Sequence, residues 1–324
     1  MLKSIKIKNF KKFENLEVND FSRINLFVGA NNCGKTCLLK AIFFSAWPSA
    51  GSSFNLLNLQ DWIVRDSKFI KNEYGVSELY NDYKTRHEIF KTLFYNFDWQ
   101  KKIFLKSIFN NNKQKEEREI TATLPSLAST DRFNFTVKRN NEEFKIESFY
   151  ITKDGLTSEL RGYFFNFIKK AKKESKIIEI LKKIQPNLTN IEFGRQDIIN
   201  LEIGLQETVP LYIMGDGFIR LLDIALIISN CNNGILLIDE IENSFYTDNL
   251  KNNWKILNEA SKEFNTQIFA TTHSWENIQA FGNNIEDDDI AVYRLDEDRI
   301  VRFDKKDVLL NTEQGYYINN RKRS

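Results

Sequence analysis

The chain has 324 residues, 42% of them hydrophobic, enough for one large domain or a domain with a substantial insertion around a core. Lys and Arg number 46 against 44 Asp and Glu, and a net charge of +2 excludes any global case for a nucleic-acid binder, leaving only a local basic face. Cys33, Cys37 and Cys231 lack the paired spacing of a zinc site or a disulfide framework, and there is no run of about 18 apolar residues to cross a membrane.

In chain order, Ile5 and Ile7 followed by Leu16 and Val18 alternate as a β-hairpin rather than a signal-peptide core, which predicts a cytoplasmic protein. Ile24-Asn25-Leu26-Phe27-Val28 reads as an interior parallel strand and runs into Gly29-Ala30-Asn31-Asn32-Cys33-Gly34-Lys35-Thr36, a Gly-x-x-x-x-Gly-Lys-Thr phosphate loop. Gly29 and Gly34 let successive N–H groups of Asn31, Asn32, Cys33 and Gly34 form a nest around phosphates. Lys35 reaches the β- and γ-phosphates, Thr36 is placed to hold Mg²⁺, and Cys37 sits just behind the loop. A helix from Lys35 to Ala46, ended by Trp47-Pro48, aims its dipole at the site.

The pattern then changes over residues 45–200, which read as an insertion, mainly helical with some strands. It holds a Gly51-Ser52-Ser53 loop, an aromatic-rich helical region between Tyr80 and Phe109, and a polar run from Asn110 to Glu119. Strand-like segments at Phe133 to Val137 and Phe144 to Ile151 follow, then one charged helix from Tyr163 to Ile184, too short and irregular for a coiled coil. The aromatics Trp47, Trp62, Tyr95 and Trp99 read as core rather than as base-stacking platforms, and Gln60 lies in the same insertion.

The core pattern returns at residues 201–310, with a polar tail at 311–324. Met214-Gly215-Asp216-Gly217-Phe218 is a glycine-flanked turn opening a helix apolar nearly all round, whose free N–H groups form a second anion-binding end. Ile235-Leu236-Leu237-Ile238 ends in Asp239-Glu240, a Walker B pattern: Asp239 can hold Mg²⁺, and Glu240 can orient or deprotonate water. Gln267-Ile268-Phe269-Ala270-Thr271-Thr272-His273-Ser274 is a strand ending in one of the two histidines, the other being His87; His273 can donate to a γ-phosphate while Ser274 caps the next helix. Asp287-Asp288-Asp289 reads as a solvated turn, Ile290 to Leu295 and Arg299 to Phe303 as a hairpin, and Arg321-Lys322-Arg323 as a small basic patch.

Taken together, Asn25 to Thr36, Met214 to Phe218, Leu236 to Asn243 and Phe269 to Ser274 resemble the ABC-type ATPase heads, with wording similar to the OLD-like AAA/ABC ATPases of bacteria. The resemblance implies an α/β P-loop NTPase fold of ABC-ATPase head type, here carrying the mainly helical insertion read above, with ATP and Mg²⁺ as ligands and head-to-tail homodimers. Gly215, Asp216 and Gly217 would then face the partner's γ-phosphate. Gly215 stands where transporter-type cassettes have serine, Asp216 adds a charge, and Asn243 to Thr247 lacks the Gly-Leu-His common in close relatives. The stretch 274–324 is too short for the Toprim nuclease that many OLD proteins carry. The implied function is an Mg²⁺-dependent ATPase, the regulatory subunit of an antiphage or toxin–antitoxin-like module with a separately encoded effector. The alternative is a DNA-associated ATPase akin to SMC heads, and no membrane partner is expected.

Overall fold

A computed structural model describes residues 1–46, 90–110, 114–124, 134–141, 144, 146–152, 154–193, 198–244, 250–296 and 299–313. The strands are β1 (Leu2–Phe10), β2 (Phe13–Val18), β3 (Ile24–Val28), β4 (Ile103–Asn110), β5 (Lys115–Thr123), β6 (Asn134–Arg139), β7 (Ser148–Ile151), β8 (Asn190–Phe193), β9 (Ile199–Glu202), β10 (Val209–Pro210), β11 (Ile235–Ile238), β12 (Gln267–Thr271), β13 (Ile290–Leu295) and β14 (Ile300–Asp304). The helices are α1 (Lys35–Ser45), α2 (Ser158–Lys170), α3 (Glu174–Lys182), α4 (Asp216–Asn230), α5 (Leu250–Glu263), α6 (Trp275–Asn284) and α7 (Lys305–Glu313). The segments around Trp47-Pro48, Gly51 to Ser53, Gln60, Trp62 and His87, and the basic patch at 321–323, lie outside the described residues.

Two compact units divide the chain. One holds residues 21–39 and 147–324. Its sheet has the order β14-β13-β3-β12-β11-β7, and every pairing from β13 to β7 is parallel. β3, β11 and β12 are buried along their whole length, as strands covered on both faces must be, and this is why they read as largely apolar runs, interrupted only by buried Asn25, Gln267 and Thr271. Alternate side chains serve opposite faces. Leu26, Ile238, Ala270 and Val292 join the core built with α2 to α6, whereas Phe27, Phe269 and Tyr293 pack on the other face against Phe21. Because the strands run parallel, the residues following Val28, Ile151, Ile238, Thr271 and Leu295 share one edge, the edge at which open α/β sheets bind ligands.

The second unit holds residues 2–20 and 40–146, with an antiparallel sheet in the order β2-β1-β4-β5-β6. The expected hairpin is present, pairing Ile5 with Val18 and Ile7 with Leu16. One expectation about this unit needs correction. The region between Tyr80 and Phe109, read as helical, contributes β4, in which Ile103, Leu105, Ser107 and Phe109 alternate inward with period two. The polar run from Asn110 to Glu119 contains the start of β5, because its inward residues are ions: buried Glu116 accepts from Arg118 Nε (2.8 Å) and Arg139 Nε (2.8 Å). Arg118 also lies 5.0 Å from the Phe109 ring centroid. Tyr95 and Trp99 are half-buried.

The single charged helix expected from Tyr163 to Ile184 is two helices. Thr157 caps α2 by accepting from Leu160 N, and Lys172 adopts a left-handed φ of 54° that breaks the run before α3. The tail expected at 311–324 begins later than read, since α7 runs through Glu313; it opens where Asp304 and Asp307 each accept from the other's backbone N–H. The three acids 287–289 address three cations: Asp287 with Lys262, Asp288 with Lys305, Asp289 with Arg23. Burial pushes the Cys231 thiol well above its ordinary range, as befits a packing residue.

Helix α4 is anchored by a buried charge. Asp223, fully buried, accepts from Arg161 Nε of α2 at 2.6 Å and from Leu156 N at 3.0 Å. Burial holds its carboxyl above the ordinary range, while Arg161, Leu156 N–H and Arg220 pull it back. Removing Arg161 raises it further, so the folded form binds a proton more tightly than the unfolded chain, and stability falls as pH rises above the ordinary carboxylate range. Arg161→Met is expected to lose about 3 kcal/mol at pH 8 in denaturant unfolding and to recover part of that loss at pH 5. An equal loss at both pH values would contradict this.

Candidate functional site

Gly29 leaves β3 at φ 141°, and a Cβ there would lie 2.4 Å from the Leu295 carbonyl oxygen and 2.9 Å from Cys33 Sγ. Only glycine lets the chain turn beneath the end of β13. Asn32 (φ 60°) and Gly34 (φ 107°) complete the turn, with Asn31 and Asn32 exposed and Cys33 buried as packing. Lys35 Nζ donates to Gly29 O (2.9 Å) and Ala30 O (3.0 Å), which draws the ammonium back over the loop. α1 starts at Lys35, so its first N–H groups, from Lys35 through half-buried Cys37, lie where a helix has no internal acceptors.

Three hydroxyls from separate segments converge on Asp239, the first residue after β11. Thr36 Oγ1 donates at 3.0 Å to Oδ1 and lies 3.1 Å from Oδ2; Thr271 Oγ1, at the end of β12, donates at 2.6 Å; and Tyr150 OH, from β7, donates at 3.0 Å. Thr271 Oγ1 also accepts from Glu240 N at 2.8 Å. Glu240 adopts φ 51°, a conformation of appreciable cost for a non-glycine residue, and its Oε2 accepts from Asn243 Nδ2 at 3.0 Å. The structure thus brings Lys35, Thr36, Asp239 and Glu240 to one sheet edge. The donor set beside the phosphate loop, a hydroxyl and a carboxylate, is the hard-oxygen chemistry that suits Mg²⁺, an ion that takes one or two protein ligands and fills its shell with water and phosphate.

His273 follows β12 at the same edge, half exposed. Its backbone N donates to Glu242 Oε1 at 3.0 Å and its Nδ1 lies 2.7 Å from the same oxygen. Ser274 caps α6 by accepting from Asn277 N. Tyr150, Thr271, Glu242 and Asn243 are contacts that sequence reading missed. Thr271 stands two residues before His273 and Asn243 three after Glu240, so both were within reach of local inspection; Tyr150 is placed only by the pairing of β7 with β11.

Gly215 is the residue before α4, with extended backbone and no side-chain cap, and Asp216 puts an acid in the first turn. Among the described residues no hydrogen bond joins Gly215, Asp216 or Gly217 to the Asp239 cluster.

A family model described as "AAA domain, putative AbiEii toxin, Type IV TA system" matches residues 24–278. A Helicobacter pylori protein named ATP/GTP phosphatase is 27% identical over 343 aligned positions, covering 90% of each chain. The DNA replication and repair protein RecF of Bacteroides fragilis is 36% identical over 90 residues, which is 26% of this chain and 24% of that protein. Among solved structures, an SMC head bound to the C-terminal winged-helix domain of ScpA superposes with a TM-score of 0.56 at 16% identity, covering 94% of this chain and 97% of that one. The SMC head with an extended coiled coil, bound to the C-terminal domain of ScpA derived from Pyrococcus furiosus, gives 0.58 at 13% identity, covering 98% and 99%. With the family match spanning most of its length, the chain belongs to this AAA-domain family and carries the fold of an ABC-type ATPase head.

Proposed function

We propose that the protein is an Mg²⁺-dependent ATPase of the cassette type that works as a nucleotide-gated homodimer. The observation that carries this reading is the joining of Thr36 to Asp239, which ties the phosphate loop to the acidic strand end. Backbone N–H groups from Asn31 to Cys37 cradle the triphosphate and Lys35 neutralises its β- and γ-oxygens. Thr36 and Asp239 would hold Mg²⁺, which when bound would offset phosphate charge. Glu240 accepts a proton from the water that attacks the γ-phosphorus while the bond to the ADP oxygen breaks. His273 contacts the γ-phosphate. Gly215, Asp216 and Gly217 of the partner copy close the pocket, with Asp216 balanced by a cation.

The name of the Helicobacter pylori relative, ATP/GTP phosphatase, supports nucleotide hydrolysis. The family description, with its toxin and type IV toxin–antitoxin wording, supports a regulatory subunit of a defence or toxin–antitoxin-like module acting on a separately encoded effector. Within the ABC/AAA class the motif wording remains OLD-like, and residues 45–200 are the segment proposed to carry specificity. The protein is proposed to work in the cytoplasm; no helix among the described residues is long and apolar enough to cross a membrane. The partial likeness to RecF favours a second reading, a DNA-associated ATPase. DNA-stimulated turnover that falls steeply with salt selects the second reading; turnover that responds to a purified effector and is indifferent to DNA selects the first.

Lys35→Ala is expected to weaken ATP binding at least about a hundredfold, or roughly 2.8 kcal/mol, in equilibrium titration. Glu240→Gln is expected to keep ATP affinity, to lower kcat by about 10²- to 10⁴-fold, and to accumulate a dimer in light scattering when ATP is present. Wild-type turnover by Glu240→Gln would remove Glu240 from its role.

A further inference from the structure

We propose that Glu242 is the positioning residue of the site, setting both the orientation and the tautomer of His273. The proposal rests on the reading of His273 as the group that meets the γ-phosphate. Glu242 Oε1 accepts from His273 N at 3.0 Å and lies 2.7 Å from His273 Nδ1, so one carboxylate oxygen grips the residue by its backbone and its ring. The carboxylate is drawn largely out of solvent, 14% exposed against 51% for the imidazole, and its Oε2 is buried without a hydrogen-bond partner among the described residues. Burying a carboxylate with one oxygen unsatisfied is costly, and among the described residues its side-chain contacts go to His273 alone.

An ionised carboxylate can only accept, so the imidazole nitrogen beside it carries the proton. Nδ1–H is thereby held against Glu242, and Nε2, on the opposite edge of the ring, is turned away from it; Nε2 accepts in the neutral ring and donates to a γ-phosphate oxygen once the ring takes a second proton. The turn after β11 and the end of β12 are joined through this pair, which places the ring relative to Glu240, two residues before Glu242. A staple between two loops would need only the backbone contact; the contact with Nδ1 adds control of the ring.

The test is a double-mutant cycle in ATP turnover with Glu242→Ala, His273→Ala and the double variant, together with Glu242→Gln, which retains an acceptor oxygen. Glu242→Ala is expected to lower kcat about tenfold with KM for ATP changed less than about twofold, and Glu242→Gln to recover most of the loss. The double variant is expected to be no slower than His273→Ala. Since the chain has two histidines, ¹⁵N spectra of imidazole-labelled protein carry two rings, and the His273 ring is expected to show the Nδ1–H tautomer in the wild type and to lose it in Glu242→Ala. A tenfold loss from Glu242→Ala that persists on the His273→Ala background overturns the proposal while leaving His273 in its role. A wild-type kcat for His273→Ala overturns the role itself, and an unshifted His273 spectrum in Glu242→Ala also sinks the positioning assignment.

Discussion

A carboxylate held by three hydroxyls is the constraint around which the site is organised. Asp239 stands where β11 ends, and Thr36, Thr271 and Tyr150 reach it from α1, β12 and β7. None of these residues is near another in sequence except through the parallel sheet, whose strand ends share an edge. The hydroxyls hold the acid in a fixed orientation beside the phosphate loop, and each can exchange its hydrogen bond for one to water or metal at modest net cost. The same edge carries Glu240 and His273. The candidate site is thus assembled by topology rather than by any one motif.

Charge burial recurs in both units and serves position. Asp223 fixes α4 to α2 through Arg161. Glu116 gathers Arg118 and Arg139 inside the antiparallel sheet. Each acid is fully buried and each has guanidinium partners, the arrangement in which loss of one partner is far more damaging than replacement of the set. α4 follows Gly215 and carries Asp216 and Gly217 in its first turn, the three residues proposed to face a partner's nucleotide.

Legibility from sequence followed the range of the interaction. The phosphate loop, the Asp239-Glu240 strand end and the Ser274 cap are local, and the strands that carry them are buried on both faces, so their apolar runs stand out. β5 was hidden because its inward residues include Glu116 and Arg118, which read as surface until their partners are known. β4 was hidden because Phe104 and Phe109 continue the aromatic-rich stretch before them and the outward face carries apolar Phe104 and Ile108, which blurs the period-two alternation. The break at Lys172 has no glycine or proline to announce it, whereas the Asp304 and Asp307 pair that opens α7 was a readable signal passed over. Tyr150 could not be assigned before β7 was seen beside β11.

The central claim is that a triphosphate is bound between the loop after β3 and the acid after β11. A structure determined with Mg²⁺ and a non-hydrolysable ATP analogue tests it most directly. The account predicts the phosphates within the turn from Ala30 to Thr36 and the metal between Thr36 Oγ1 and the Asp239 carboxylate. A triphosphate bound elsewhere, or bound there with Asp239 remote from the metal, would contradict it.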